Sequence, residues 1–349
     1  MEFYYLRLFL MFLIPMLTSL LVTPQVIKMA HHINAIDVPK DERRVHTKPI
    51  PRIGGLAVYI SFILAVLLFG NFSKELLAIV VGSFIIIILG LFDDVKPVPA
   101  KIKFLLHIVS ASIVVLYGNL LISNIGIFGF TINLGYYAIP LTILFIVSCM
   151  NIINLIDGLD GLATGISSIY FLTIIVISLF QERFGTLELF LAISMLGSSL
   201  GFLKYNFNPA KTFLGDTGSV FLGFIIGVTS VVGFKSAMIT SLVVPLLILS
   251  IPIFDTLFAI FRRKLKHKPI FDPDKDHFHH QILKMRFSHK KTVLIIYLIN
   301  TLFSIASIFY VIKERVLGKI VYVVLFVLTL WFVFHTNILS DKINLENKK

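Results

Sequence analysis

Apolar residues run in blocks of about 20 along nearly the whole chain, separated by short polar intervals. Blocks this long and this uniform match neither a half-buried strand, which alternates every second residue, nor a surface helix with one apolar face. They predict transmembrane helices. Windows of about 19 residues place eleven spans near residues 3–23, 53–70, 76–92, 104–121, 138–155, 162–180, 187–203, 219–233, 238–261, 292–312 and 317–338. The expected fold class is therefore an all-α polytopic membrane protein, treated as one integral-membrane domain over 1–349. The first block lacks a basic leader and a small-residue cleavage site, so it is expected to stay as the first span. Pro245 and Pro252 are expected to kink the ninth. Between the fourth and fifth spans, SNIGIFGFTINLGYY alternates and carries glycines, which predicts a short external β-hairpin at the interface.

Composition supports this reading. Hydrophobic residues make up 57% of the 349 and charged residues only 14%, where a soluble domain carries roughly 25% charged residues. The single cysteine, Cys149, excludes an intramolecular disulfide and a cysteine-based metal cluster. Eleven spans divide the loops into two alternating sets, and one set holds 24 of the 31 lysines and arginines. The positive-inside rule puts that set in the cytoplasm, with the amino terminus outside and the carboxyl terminus cytoplasmic. The formal charge of +12 then reflects topology and attraction to anionic lipid headgroups. No basic folded domain is present to bind nucleic acid. The longest cytoplasmic loop, 262–291, is strongly basic and carries His277, His279 and His280.

Ionisable groups at membrane depth are costly and mark function. Here they gather. Asp93-Asp94 closes the third span, Asn151 to Asp160 closes the fifth, Asp216 precedes the eighth, and the three histidines precede the tenth. All four groups fall in the positive loop set, so they can meet on one membrane face. Carboxylates with an amide suit a hard divalent cation such as Mg²⁺. Lysines, arginines and histidines beside them (Lys48, Arg52, Lys101, Lys103) suit phosphate groups. Together they point to a metal–phosphate complex and to phosphoryl-type transfer, which relies on positioning and charge neutralisation. In NIINLIDGLDGLATG, residues 151–165, Asn151, Asn154, Asp157 and Asp160 follow one another at intervals of three and share one side if the turns are helical. Gly158 and Gly161 interrupt the helix and let backbone approach a ligand. Asp255 is open between a structural ion pair and a site role, and His107 and His335 read as ordinary polar helix positions. Gly223 and Gly227 read as close helix packing.

These residues also carry a resemblance. Five pieces occur in order: DVPKDERRVHTKPIPRIGG at 37–55, LGLFDDV at 89–95, NIINLIDGLDGLATG, NPAKTFLGDTGS at 208–219 and DKDHFHHQIL at 274–283. In these the chain resembles the polyprenyl-phosphate N-acetylhexosamine-1-phosphate transferases, in their bacterial undecaprenyl-phosphate GlcNAc-1-phosphate branch. The resemblance implies that Asp216 and Asn154 hold Mg²⁺, with Mn²⁺ able to substitute, and that Asp157 orients the metal or a water. It implies that Asp160, Phe213 and Asn206 serve the nucleotide of a UDP-sugar and that Lys48, Lys103, His279 and His280 surround the phosphates, with Arg52, Lys101, Asn151 and His277 as further candidate substrate-binding residues. The general base is Asp93 or Asp94. The spacing His277-Phe278-His279-His280 resembles the GlcNAc-1-phosphate branch, whereas the muramoyl-pentapeptide branch has three consecutive histidines. Phe278 stands where isoleucine is commoner, and no third aspartate follows Asp93-Asp94.

The partners implied are UDP-GlcNAc or another UDP-N-acetylhexosamine, undecaprenyl phosphate and membrane lipid, in the bacterial cytoplasmic membrane, and family behaviour also suggests a homodimer. A single displacement and a covalent aspartyl route are both open. The rival of another class is a secondary transporter or lipid flippase using the carboxylates as an ion path. Such proteins often show paired repeats and a midplane site, and this sequence shows neither. A catalytically silent scaffold would not need its carboxylates intact.

Overall fold

The computed structural model describes residues 2–39, 49–127, 130–236 and 287–312, with scattered positions between 253 and 328. The chain forms two compact units, Met1–Pro245 and Leu246–Lys349.

Among the described residues the first unit has eight α-helices: α1 (Glu2–His32), α2 (Gly55–Phe69), α3 (Lys74–Val95), α4 (Ala100–Ser112), α5 (Ala138–Ile156), α6 (Leu162–Phe180), α7 (Leu187–Asn206) and α8 (Gly215–Ser236). A π turn, Ile113–Tyr117, prolongs α4. In the second unit α9 spans His289–Ile312 and buries Val293, Ile296, Phe303 and Ala306 on one side. Eight described helical segments are long and apolar enough to cross a membrane, and the shorter α2 is apolar throughout. The chain is a helical, multi-pass membrane protein. Nine of the eleven expected spans coincide with described helices. The spans at 238–261 and 317–338 lie wholly or largely outside the described residues, as do Pro245, Pro252, Asp255 and His335.

Two small antiparallel ribbons complete the first unit. In one, β1 (Ile36–Asp37) pairs with β2 (Ile50–Pro51), Ile36 opposite Pro51. In the other, β3 (Asn124–Ile127) pairs with β4 (Phe130–Asn133), Asn124 opposite Asn133.

The first helix runs further than the apolar block, through Pro15 and Pro24 to His32. A proline inside a helix leaves the carbonyl four residues back without its donor. For Pro24 that carbonyl is Leu20, and the Tyr205 hydroxyl of α7 donates to it at 3.1 Å. The break is repaired from outside, so the helix continues.

α8 lies at the centre. Its residues from Val220 to Val232 are buried, with α5 and α3 as its main neighbours. Glycines make this approach close. A Cβ on Gly223 would stand 2.6 Å from Met150 Cα, and one on Gly227 would stand 3.1 Å from Ile146 Cα. The expected packing role of both glycines is met on α5. In the same core the buried Tyr170 hydroxyl of α6 lies 2.7 Å from Ser230 Oγ, which gives a polar group at membrane depth a partner.

Candidate active site

The site is built around the start of α8. Just before it, the segment 51–55 runs beside 213–214. Phe213 N donates to Pro51 O at 2.7 Å, Gly54 N to Phe213 O at 3.0 Å and Gly55 N to Leu214 O at 2.9 Å. A Cβ on Gly55 would meet Gly218 N at 2.2 Å, and one on Gly90 of α3 would meet Thr217 Cα at 2.4 Å. The glycines of the RIGG and LGLFDD stretches thus let α2 and α3 close on both sides of the FLGDTG turn. Gly215 adopts φ +70, where an L side chain is strained, and its own Cβ would strike Arg52 O.

The two adjacent aspartates of α3 do different things. Asp94, with its side chain fully buried, accepts Asp216 N at 3.0 Å, Thr217 N at 3.0 Å and Thr217 Oγ1 at 2.6 Å. Arg52 Nη2 approaches it at 3.5 Å. Its oxygens are thereby taken up in fixing the first turn of α8, whose N–H groups have no partner within the helix. Asp93 accepts Val98 N at 2.7 Å and Lys103 Nζ at 3.1 Å. The same ammonium of α4 donates to Asp216 Oδ2 at 2.9 Å, so Lys103 bridges Asp93 and Asp216.

Asn154, on the last turn of α5, donates through Nδ2 to Asp216 Oδ1 at 3.2 Å and to Ser219 Oγ at 2.8 Å. Its Oδ1 takes no hydrogen bond among the described residues. α5 ends at Ile156, and Asp157 sits at its cap with φ -75 and ψ 48. The Asp157 carboxyl makes no hydrogen bond or ion pair among the described residues. Burial pushes it up to about 8, and the neighbouring Asp216 and Asp94 carboxylates add to the shift.

The intervals of three in NIINLIDGLDG therefore do not form one helical side. Asn151 stays on α5 and returns its Nδ2 to Val147 O at 2.7 Å. Asp160 lies beyond the helix end, where Oδ2 accepts Asn208 Nδ2 at 2.8 Å and Ala210 N at 3.1 Å. Gly161, at φ +80, starts α6. Asp160 thus ties the α5–α6 turn to the 207–214 loop. Asn206, expected to serve the nucleotide, is the last residue of α7 and lies inside the loop that follows it. The side chain is 1% exposed, accepts Thr164 Oγ1 at 2.8 Å and donates to Thr212 O at 3.1 Å, so both ends of its amide close the loop from inside. Phe213 is partly buried in that loop. Lys101 is exposed and has no hydrogen bond or ion pair among the described residues. Lys48, His277, His279 and His280 lie outside the described residues.

Two side chains that the motifs did not single out matter here. Thr217 and Ser219, inside the LGDTGS stretch, hold Asp94 and Asn154 in place. His107, expected to be an ordinary polar helix position, lies one helical turn from Lys103, is 5% exposed, and has no partner on either ring nitrogen among the described residues. Its spacing of four from Lys103 was the available signal.

Among the described residues no three histidine, cysteine or acidic side chains meet at metal-binding spacing. The donor set nonetheless fits a hard cation. Asp93 and Asp216 share Lys103, Asp94 meets Arg52, and the Asp157 carboxyl adds oxygen donors beside them, so carboxyl oxygens gather in one half-buried place. Mg²⁺ commonly takes one or two carboxylates and completes its shell with water and substrate phosphates. The unpartnered Asp157 carboxyl, Asp216 and the Asn154 carbonyl oxygen supply such an incomplete set.

A multi-pass helical protein with this carboxylate–amide–lysine cluster belongs to the class of membrane enzymes that handle phosphorylated substrates. The comparisons narrow the class. Residues 76–234 match the family model described as glycosyl transferase family 4. The chain is 43% identical over 346 residues to the probable undecaprenyl-phosphate N-acetylglucosaminyl 1-phosphate transferase of Bacillus subtilis, covering 98% of this chain and 94% of that one. It is 35% identical over 300 residues to the decaprenyl-phosphate N-acetylglucosaminephosphotransferase of Mycolicibacterium smegmatis (77% and 74%). It is 27% identical over 284 residues to the undecaprenyl-phosphate alpha-N-acetylglucosaminyl 1-phosphate transferase of Escherichia coli K12 (79% and 77%). The chain belongs to glycosyl transferase family 4, among its polyprenyl-phosphate N-acetylhexosamine-1-phosphate transferases, in the bacterial undecaprenyl-phosphate GlcNAc-1-phosphate branch.

Proposed function

We propose that this protein transfers GlcNAc-1-phosphate from UDP-GlcNAc to undecaprenyl phosphate, the first lipid-linked step of a cell-envelope glycopolymer. A phosphate oxygen of the lipid attacks the β-phosphorus of UDP-GlcNAc. The bond from that phosphorus to the bridging oxygen breaks, UMP leaves with the bond's electron pair, and undecaprenyl-diphospho-GlcNAc remains in the bilayer. The observation that carries this reading is the convergence of Asp93, Asp216 and Lys103 from three helices, α3, α8 and α4, with Asn154 of α5 on the same carboxylate.

Each residue has a part in that reaction. Mg²⁺, when bound by Asp216, Asp157 and Asn154, would draw charge from the diphosphate. Lys103 is placed to move from its carboxylate partners to a phosphate oxygen and to hold the charge that develops there. Asp93 is favoured over Asp94 as the base, because the donors on Asp94 already occupy its oxygens and those on Asp93 are fewer. Asp94 and Arg52 then act as positioning residues for Asp216. Asp160 is placed to order the loop that carries Phe213, whose ring would stack on uracil. Lys48, His277, His279 and His280 would complete the phosphate site, with Lys101 and Asn151 at its margin. The site faces the cytoplasm of the bacterial cell, in line with the bias of lysine and arginine among the loops.

Purified protein given Mg²⁺, UDP-GlcNAc and undecaprenyl phosphate is expected to release UMP in proportion to the lipid phosphate supplied. UMP release without the lipid would make the protein a hydrolase and end this reading. Replacing UDP-GlcNAc by UDP-GalNAc in the same assay checks the sugar, and GlcNAc is expected to be preferred.

A further inference from the structure

The opposite end of the bundle holds a second feature. α3 is about 33 Å long at 1.5 Å per residue and carries Asp93 and Asp94 at its carboxyl end, while Ser73 precedes its amino end. Around that amino end, the start of α1, the end of α2 and the start of α7 enclose a cavity of about 450 Å³. Its wall is two-sided. Met11, Leu189 and Phe190 are buried and apolar, whereas Asn71, Ser73 and Thr186 offer polar atoms.

Among the described residues, Arg7 is the single charged one in the lining. Among the described residues its one hydrogen bond is to Phe69 O at 3.1 Å, which leaves most of a five-donor guanidinium without a partner. Among the described residues no carboxylate lines the cavity. The nearest in sequence are Glu2, Glu75 and Glu188, and Glu188 is buried and paired with Arg183 at 3.3 Å. Exposed aromatic rings surround this end, with Tyr5, Phe72 and Phe184 at 55%, 68% and 46% exposure. Such rings sit at the headgroup level of a bilayer.

A lone guanidinium calls for an anion, and the apolar wall beside it calls for methylenes. The absence of an acid from the lining gives nothing to pair with a choline or ethanolamine cation. We propose that this cavity binds the phosphodiester headgroup of an anionic phospholipid, with Arg7 on the phosphate and Met11, Leu189 and Phe190 against the first acyl carbons. The site lies in the leaflet opposite the carboxylate cluster and is independent of the reaction proposed for that cluster.

Native mass spectrometry of the full-length, delipidated protein tests this with phosphatidylglycerol and phosphatidylcholine of identical chains. Phosphatidylglycerol should be retained at roughly tenfold lower concentration, the scale of one arginine–lipid charge contact. Arg7→Gln should erase the preference, and Met11→Trp, which fills the apolar wall and keeps the charge, should lower phosphatidylglycerol retention. Millimolar glycerol 3-phosphate should not displace the lipid. Both variants should release UMP as the wild type does, which confirms that they fold. Equal retention of the two lipids by wild type, unchanged retention in folded Arg7→Gln, or displacement by glycerol 3-phosphate would each overturn the proposal.

Discussion

Replacing Asp216 by alanine is expected to lower UMP release by roughly 10²–10³-fold, the usual cost of removing a group that stabilises charge in the transition state. Asp216 is where Lys103 and Asn154 meet, at 2.9 and 3.2 Å. In the proposed mechanism it is also one of the two carboxylates that would hold the cation. The fold should survive, because the contact that anchors α8 uses the backbone N–H of residue 216, donated to Asp94, and alanine keeps it. Lys103 likewise keeps Asp93 at 3.1 Å. The loss should therefore fall on turnover, measured as UMP released at saturating substrates, with an unchanged unfolding temperature in detergent. A variant with near-wild-type turnover would remove Asp216 from the chemistry.

Asp94→Ala is expected to fail differently. Its carboxylate is fully buried and serves two backbone N–H groups, one hydroxyl and Arg52. Removing one partner of a buried charged network commonly costs about 3–5 kcal/mol, because the groups left behind have neither water nor a counter-charge. The unfolding temperature should fall, and activity with it, since the first turn of α8 sets the position of Asp216. Thermal unfolding by intrinsic fluorescence, run beside the UMP assay, distinguishes the two roles. Lost activity at an unchanged unfolding temperature would mean that Asp94 takes part in the reaction itself.

The contrast between these neighbours shows what the sequence can and cannot convey. Adjacent residues on a helix point about 100° apart. The pair Asp93-Asp94 was readable as functional, but its division into one side chain on Lys103 and another on α8 depends on which helices stand on each side. Asn154 and Asp216 were legible as partners through the family resemblance of their motifs, while the apolar pattern alone only placed both on one membrane face. Asp157 and Asp160 were legible as important, yet their geometry was not, since α5 stops at Ile156 and the intervals of three lose their meaning there. Asn206 looked like a ligand-facing amide because it sits in a polar motif. It is a buried strut, which only its contacts with Thr164 and Thr212 reveal. The first span was expected over 3–23, and Tyr205, far along the chain, supports the continuation of α1 past Pro24. The apolar blocks themselves translate almost directly into helices, because a backbone in lipid must satisfy its own hydrogen bonds.

The central claim is that Asp216, Asp157 and Asn154 share one divalent cation with the diphosphate of UDP-GlcNAc. Electron paramagnetic resonance of Mn²⁺ added to the protein with UDP-GlcNAc tests it most directly, because phosphorus nuclei bound to the metal split its signal. The account predicts a single bound Mn²⁺ with phosphorus coupling, and an affinity that falls by more than roughly tenfold in Asp216→Ala, a loss that even an outer partner of a metal can cause. Equal Mn²⁺ binding by the two proteins, or a bound Mn²⁺ without phosphorus coupling, would contradict it.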